Sequence, residues 1–141
     1  MEATIFYLDD DIDDLDFFKY AAKDLGETVD VFLKYDDLIA KLHNPPPYPR
    51  VVFVDLNMPF KSGYEVIDSI RNIPHFSNIP LVVFSTGMNE SIVNKCISLG
   101  ANLYIKKPVG SKDLTKIIKH ISNFDWSTFT TDNSNFIFNP Y

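Results

Sequence analysis

Short apolar runs and helical stripes take turns along this chain. TIFYL (4–8) is largely apolar and β-favouring, and predicts a strand. Leu15, Phe18, Ala22 and Leu25 then recur at helical spacing, with Gly26 placed to end that helix. VDVFL (29–33) alternates as a strand does, and Asp36 or Asp37 is placed to cap a short helix carrying Leu38, Ile39 and Leu42. NPPPYP (44–49) predicts a stiff loop, because each proline fixes φ and lacks an N–H donor. VVFVD (51–55) begins with four apolar residues, the pattern of a strand buried on both faces. NMPFKSG (57–63) predicts a loop, and Val66, Ile67 and Ile70 form a stripe stopped near Pro74. PLVVFS (80–85) is a further apolar strand, followed by a stripe of Ile92, Val93, Cys96 and Leu99 that Gly100 ends. NLYIK (102–106) makes a fifth strand, and Ser111 is placed to cap a last helix carrying Leu114, Ile117, Ile118 and Ile121.

Five strands alternating with five helices imply βαβ units and a mainly parallel sheet with helices on both faces. The last 18 residues, 124–141, break this rhythm. They are rich in Ser, Thr and Asn, yet they carry Phe124, Trp126, Phe129, Phe136, Phe138 and Tyr141. That density of aromatics is too high for a solvated linker, and predicts docking on this domain or on a second copy of it.

Composition narrows the class. A length of 141 residues with 45% apolar residues suits one domain with one substantial core. The net charge of -6 argues against a general nucleic-acid or anionic-membrane surface. Cys96 is alone, so no internal disulfide forms, and it reads as a small core hydrophobe. No apolar run reaches the length of a membrane span and the N-terminus carries no secretory pattern, so a cytoplasmic location is expected. His43, His75 and His120 are scattered without ligand spacing and read as surface residues.

In an open parallel sheet, ligands bind outside the carboxyl ends of the strands. The residues just beyond the strands are therefore the chemical candidates: Asp9 and Asp10, then Asp55, then Ser85 and Thr86, then Lys107 and Pro108. Crowded carboxylates repel and need a cation, and a small hard dication takes oxygen ligands. A lysine and a hydroxyl beside that ion suit a phosphoryl group, whose oxygens need donors. The set reads as a Mg²⁺-assisted phosphoryl site (Mn²⁺ serves equally) with an aspartate as acceptor.

Four motifs in order, LDD (8–10), VDLNMPFKSG (54–63), FST (84–86) and KKP (106–108), resemble the receiver domains of two-component response regulators, the family of the chemotaxis regulator. The resemblance covers residues 3–123. It implies a flavodoxin-like (βα)5 three-layer α/β sandwich with a five-stranded parallel sheet of order 2-1-3-4-5. It further implies Asp55 as phospho-acceptor, and Asp9 and Asp10 as the acidic pair, with Asp10 a direct metal ligand. The Asn57 backbone carbonyl completes the metal shell, and Lys107 contacts the phosphoryl group. Ser85, favoured over Thr86 by its place five residues after Pro80, becomes the switch hydroxyl. Tyr104 is the aromatic that rotates inward with it. Pro108 is expected to follow a cis peptide bond from Lys107. The remaining aspartates of the first run, Asp11, Asp13, Asp14 and Asp16, read as a solvated acidic first turn.

The implied function is a signalling protein rather than an enzyme acting on other substrates. It takes a phosphoryl group from a histidine kinase or phosphotransfer protein and repacks a protein-binding surface made by the fourth helix, fifth strand and fifth helix. Residues 1–123 are the expected receiver domain. With only 18 residues after Asn123, a stand-alone receiver without an output domain is expected. A relay intermediary or phosphate sink is the alternative output, and a second copy of the chain is a further expected partner. Two other classes fare worse. An EF-hand counted from Asp9 puts Asp14 where glycine is needed and Tyr20 where glutamate is needed. A haloacid-dehalogenase-like phosphatase fits Asp9 and Asp11, but Ile12 and Asp13 replace the expected Gly-Thr, and no late acidic motif follows the fourth strand.

Overall fold

The computed structural model describes residues 4–108, 110–129, 131 and 135–138. Its elements are β1 (Thr4–Leu8), α1 (Ile12–Asp24), β2 (Val29–Phe32), α2 (Tyr35–Leu42), β3 (Pro49–Val54), α3 (Gly63–Arg71), β4 (Leu81–Ser85), α4 (Glu90–Leu99), β5 (Leu103–Lys106), α5 (Ser111–Ser122) and β6 (Ile137–Phe138). A 3₁₀ turn at Pro74–Phe76 ends the α3 region. All strand pairs are parallel, in the order 2-1-3-4-5-6.

The sheet therefore has six strands, one more than the five expected. The extra strand comes from the tail, where Tyr104 pairs with Ile137 and Ile105 with Phe138. Its two residues, with Phe136 before them, make too short a run for periodicity to register.

Alternation along each strand sends side chains to two separate cores. Phe6, Leu8, Val52, Val54, Val83 and Tyr104 face the layer of α2, α3 and α4. Ile5, Tyr7, Phe53, Phe84 and Ile105 face α1 and α5. The tail straddles the sheet edge. Phe136 packs with the first layer, whereas Phe124, Trp126, Phe129 and Phe138 pack with the second. The Ser111 side chain and Tyr141 lie outside the described residues.

Local chemistry explains the boundaries. Asp11 caps α1, accepting from the Asp13 and Asp14 N–H groups at 2.9 and 3.3 Å. Asp36 and Asp37 do not cap α2. Lys34 holds the cap position and the two aspartates fill the first turn, where the helix dipole favours them. Gly100 ends α4 in the left-handed region at φ 101°. Arg71, at the end of α3, donates to the carbonyls of Gly100, Phe76 and Ile79 and to the Asn102 side chain, tying that helix to the entries of β4 and β5.

Candidate functional site

The carboxyl ends of β1, β3, β4 and β5 converge on one acidic pocket. Sheet hydrogen bonds fix the backbone there. The Asp9 N–H donates to Phe32 O and the Asp55 N–H to Leu8 O, each at 3.1 Å. One carboxylate oxygen from each of Asp9, Asp10 and Asp55 lies within 4.8 Å of the others. Asp9 and Asp55 are buried, at 0% and 4% exposure, while Asp10 faces solvent.

The loop after β3 folds back tightly onto Asp55. The Gly63 N–H donates to Leu56 O at 3.1 Å. A Cβ on Gly63 would stand 2.4 Å from the Asp55 carbonyl oxygen and 2.6 Å from Leu56 Cα. Only glycine allows that approach, so the last residue of the NMPFKSG motif shapes the loop that follows Asp55.

Asp9 is fully engaged. Its Oδ1 accepts from the Asp11 N–H at 3.0 Å. Its Oδ2 accepts from Lys107 Nζ at 2.6 Å and from the Tyr7 hydroxyl. The Tyr7 ring is clasped by Phe18, Phe53 and Phe84, with centroids 4.6, 6.3 and 5.7 Å away. The strand pattern gives Tyr7 no role of its own; the available signal is a hydroxyl two residues before a buried acid.

Lys107 reaches three carboxylates. It donates to Asp9 at 2.6 Å and to Asp14 at 2.8 Å, and stands 3.6 Å from Asp55 Oδ2. The expectation that Asp14 merely faces water is corrected here. The first turn of α1 brings its carboxylate to the end of β5. The expected cis bond at Lys107–Pro108 is also corrected, since among the described residues the cis peptide bonds are Pro45–Pro46 and Pro46–Pro47. The trans isomer is favoured before proline by about 0.5–1 kcal/mol. It is compatible here with the Lys107 N–H donating to Ser85 O at 2.8 Å.

These contacts shift proton affinities. Burial, with Asp9 repulsion second, pushes Asp55 up to about 6 despite the opposing pull of Lys107. Desolvation and the neighbouring Asp9 charge also raise Asp10. Burial lowers Lys107, but its bonds to Asp14 and Asp9 outweigh this and hold it above the ordinary lysine range.

Ser85 is buried and accepts from Asn57 Nδ2 at 3.3 Å, whereas Thr86 is exposed. Tyr104 is fully buried, its hydroxyl donates to the Gly87 carbonyl, and burial raises it to about 12. The structure thus brings Asp9, Asp10, Asp55, Lys107, Ser85 and Asn57 to one end of the sheet. Tyr104 is one shell behind, linked to the loop that carries Ser85.

Comparison with known proteins gives the site a context. The response regulator receiver domain family matches residues 5–119. The chain belongs to the response regulator receiver domain family. Response regulator Rcp1 of Synechocystis sp. is 38% identical over 84 residues, 60% of this chain and 57% of that protein. A probable methanogenesis regulatory protein, FilR2, of Methanothrix harundinacea is 30% identical over 76 residues, 54% of this chain and 49% of its own length. The chain thus spans about half the length of these curated relatives. Among solved structures, the phosphorylated cyanobacterial phytochrome response regulator RcpA superposes with a TM-score of 0.79 at 28% identity, covering 94% of this chain and all of that one. The Mn²⁺-bound form of Rcp1 gives 0.74 at 28% identity, covering 93% of this chain and 99% of that one. Chemotaxis protein CheY4 of Vibrio cholerae, at 21% identity and TM-score 0.76 over 86% of this chain and 99% of that one, shares the fold. Among the described residues no helix is long and apolar enough to cross a membrane.

The three carboxylates fit a hard dication. They supply oxygen donors, and a cation among them would offset both the burial and the Asp9 repulsion that raise the proton affinity of Asp55.

Proposed function

We propose that Asp55 accepts a phosphoryl group from a phosphohistidine on a sensor kinase or phosphotransfer protein. An Asp55 carboxylate oxygen attacks phosphorus, the P–N bond to the histidine breaks, and an acyl phosphate forms. The carrying observation is that Asp55 is buried against Asp9 yet has the Lys107 ammonium 3.6 Å away. Asp9, Asp10, Asp55 and the Asn57 carbonyl are the residues that would hold Mg²⁺ or Mn²⁺. When bound, the ion neutralises phosphoryl charge. Lys107, handed on from Asp9 and Asp14, takes one phosphoryl oxygen, and Ser85 takes another once it leaves Asn57. Asp9 as the nucleophile of a phosphatase finds no support, since the family match over residues 5–119 is to a receiver domain.

In this reading residues 1–123 are the phosphoryl-accepting unit, which promotes only its own phosphorylation and dephosphorylation. Ser85 and Tyr104 carry the change to the surface of α4, β5 and α5. Exposed Phe17 and Tyr20 line a groove with Lys107 and Lys112 between α1 and α5, which suits a helical phosphodonor arriving beside the acceptor. Incubation with acetyl phosphate and Mg²⁺ should label Asp55, with the label absent from Asp55→Asn. Persistent labelling of that variant, or label on Asp9, would refute the assignment.

A further inference from the structure

The outer edge of β5 is filled by the chain's own tail. The Tyr104 N–H donates to Phe136 O at 2.8 Å. The Phe136 ring is fully buried and meets the Tyr104 ring edge-on, with centroids 6.4 Å apart. On the opposite face of the sheet, Phe138 stacks on His120 at 4.4 Å. The Thr131 hydroxyl anchors the approach by donating to Asn102 O at 3.0 Å. Tyr104 therefore touches the tail with its ring and its backbone. At its far end the same side chain donates to Gly87 O, two residues beyond Ser85.

We propose that the β5 edge is a docking site for an extended Phe-x-Phe segment, held here by residues 135–138, and that its occupancy is coupled through Tyr104 to anion binding at Asp55. The coupling rests on the phosphoryl-site reading above.

The physical argument is one of shared walls. Phe136 closes the space beside the Tyr104 ring. Without it the ring has a cavity to enter, and entering it breaks the bond to Gly87. The loop carrying Ser85 then loses a tether. Coupling between two sites is reciprocal, so an anion that fixes this loop also tightens the tail by the same factor. The tail wins the edge because its tether keeps its effective concentration high. A segment from another protein must bring an aromatic to the Phe136 position to displace it.

The test uses the full-length chain with Mg²⁺ and beryllium fluoride, a tetrahedral stand-in for the phosphoryl group. Affinity is measured by titration, and tail docking by hydrogen exchange of the peptide spanning 135–138. Phe136→Ala should weaken beryllium fluoride binding by about 5-fold or more. In the parent chain the anion should slow tail exchange by a similar factor. Tyr104→Phe keeps the ring but loses the Gly87 bond, so its tail should stay docked and stop responding to the anion. If Phe136→Ala fails to fold, that second variant decides the matter. Binding with no effect on the tail, or an unaltered response in Tyr104→Phe, overturns the coupling and leaves the phosphoryl reading intact. Failure of the parent chain to bind the anion overturns both.

Discussion

Lys107 Nζ donates to Asp14 Oδ2 at 2.8 Å, joining the end of β5 to the first turn of α1 across 93 residues of chain. Asp14→Asn should therefore cost about 1 kcal/mol, the net value of one such bond, when the carboxylate is partly exposed. Asp16→Asn, on the exposed side of the same helix, should stay within about 0.5 kcal/mol. Urea denaturation of both variants checks the contrast, and equal effects would return Asp14 to the solvated set.

Asp55 gives the metal-free protein a pH signature. Its folded value of about 6 lies above the ordinary carboxylate value near 3.9. Between about pH 4 and 6 the folded chain keeps a proton that the unfolded chain has released, so stability falls as pH rises and levels off above that window. The loss is on the order of 2 kcal/mol. In EDTA, Asp55→Asn should be the more stable protein at pH 7 and lose that advantage towards pH 4. Thermal melts across that range test the sign.

Gly63→Ala places a methyl group against the Asp55 and Leu56 backbone, where nothing can yield cheaply. Overpacking of this kind costs about 1–3 kcal/mol. It should also reduce acetyl phosphate labelling, because the displaced backbone carries the acceptor. Stability and labelling measured together check both effects.

Asp10 is the exposed member of the acidic three, with least structural work to do. Asp10→Asn should leave the melting temperature nearly unchanged in EDTA. Its Mn²⁺ affinity should fall by at least the roughly 10–100-fold that supporting residues of a metal site command. Electron paramagnetic resonance titration of Mn²⁺ reads this out directly.

Tyr7→Phe removes the hydroxyl that donates to buried Asp9. A hydrogen bond to a charged group contributes about 1.5–3 kcal/mol, so the variant should lose that much by urea denaturation. The change keeps the ring that packs against Phe18 and Phe53, so the loss should come from the hydroxyl alone.

The five main strands and five helices were legible because each carries enough residues for its period to show, as in Val51 to Val54 or Leu114 to Ile121. The acidic pocket was legible because strand ends announce themselves where apolar runs stop at Asp9 and Asp55. Other parts could not be read locally. Asp14 and Lys107 are 93 positions apart, and no pattern in α1 marks which aspartate turns towards β5. Tyr7 looked like one more strand aromatic. Gly63 was visible as a motif residue, but its reason, the nearness of the Asp55 carbonyl, exists only in three dimensions. The tail announced its aromatics but not their register, because two residues of β6 carry no periodicity.

That short sixth strand also bears on solubility. An uncovered β5 would offer Tyr104 and Ile105 as a row of free backbone groups, a template on which chains stack. Two residues of β6 are enough to occupy it and too few to recruit a seventh strand. At the opposite border, β2 carries Asp30 in its middle, a charge that discourages pairing from that side. The sheet is thus blunted at both margins, and loss of the tail would expose the flank that carries Tyr104 and Ile105 to self-association.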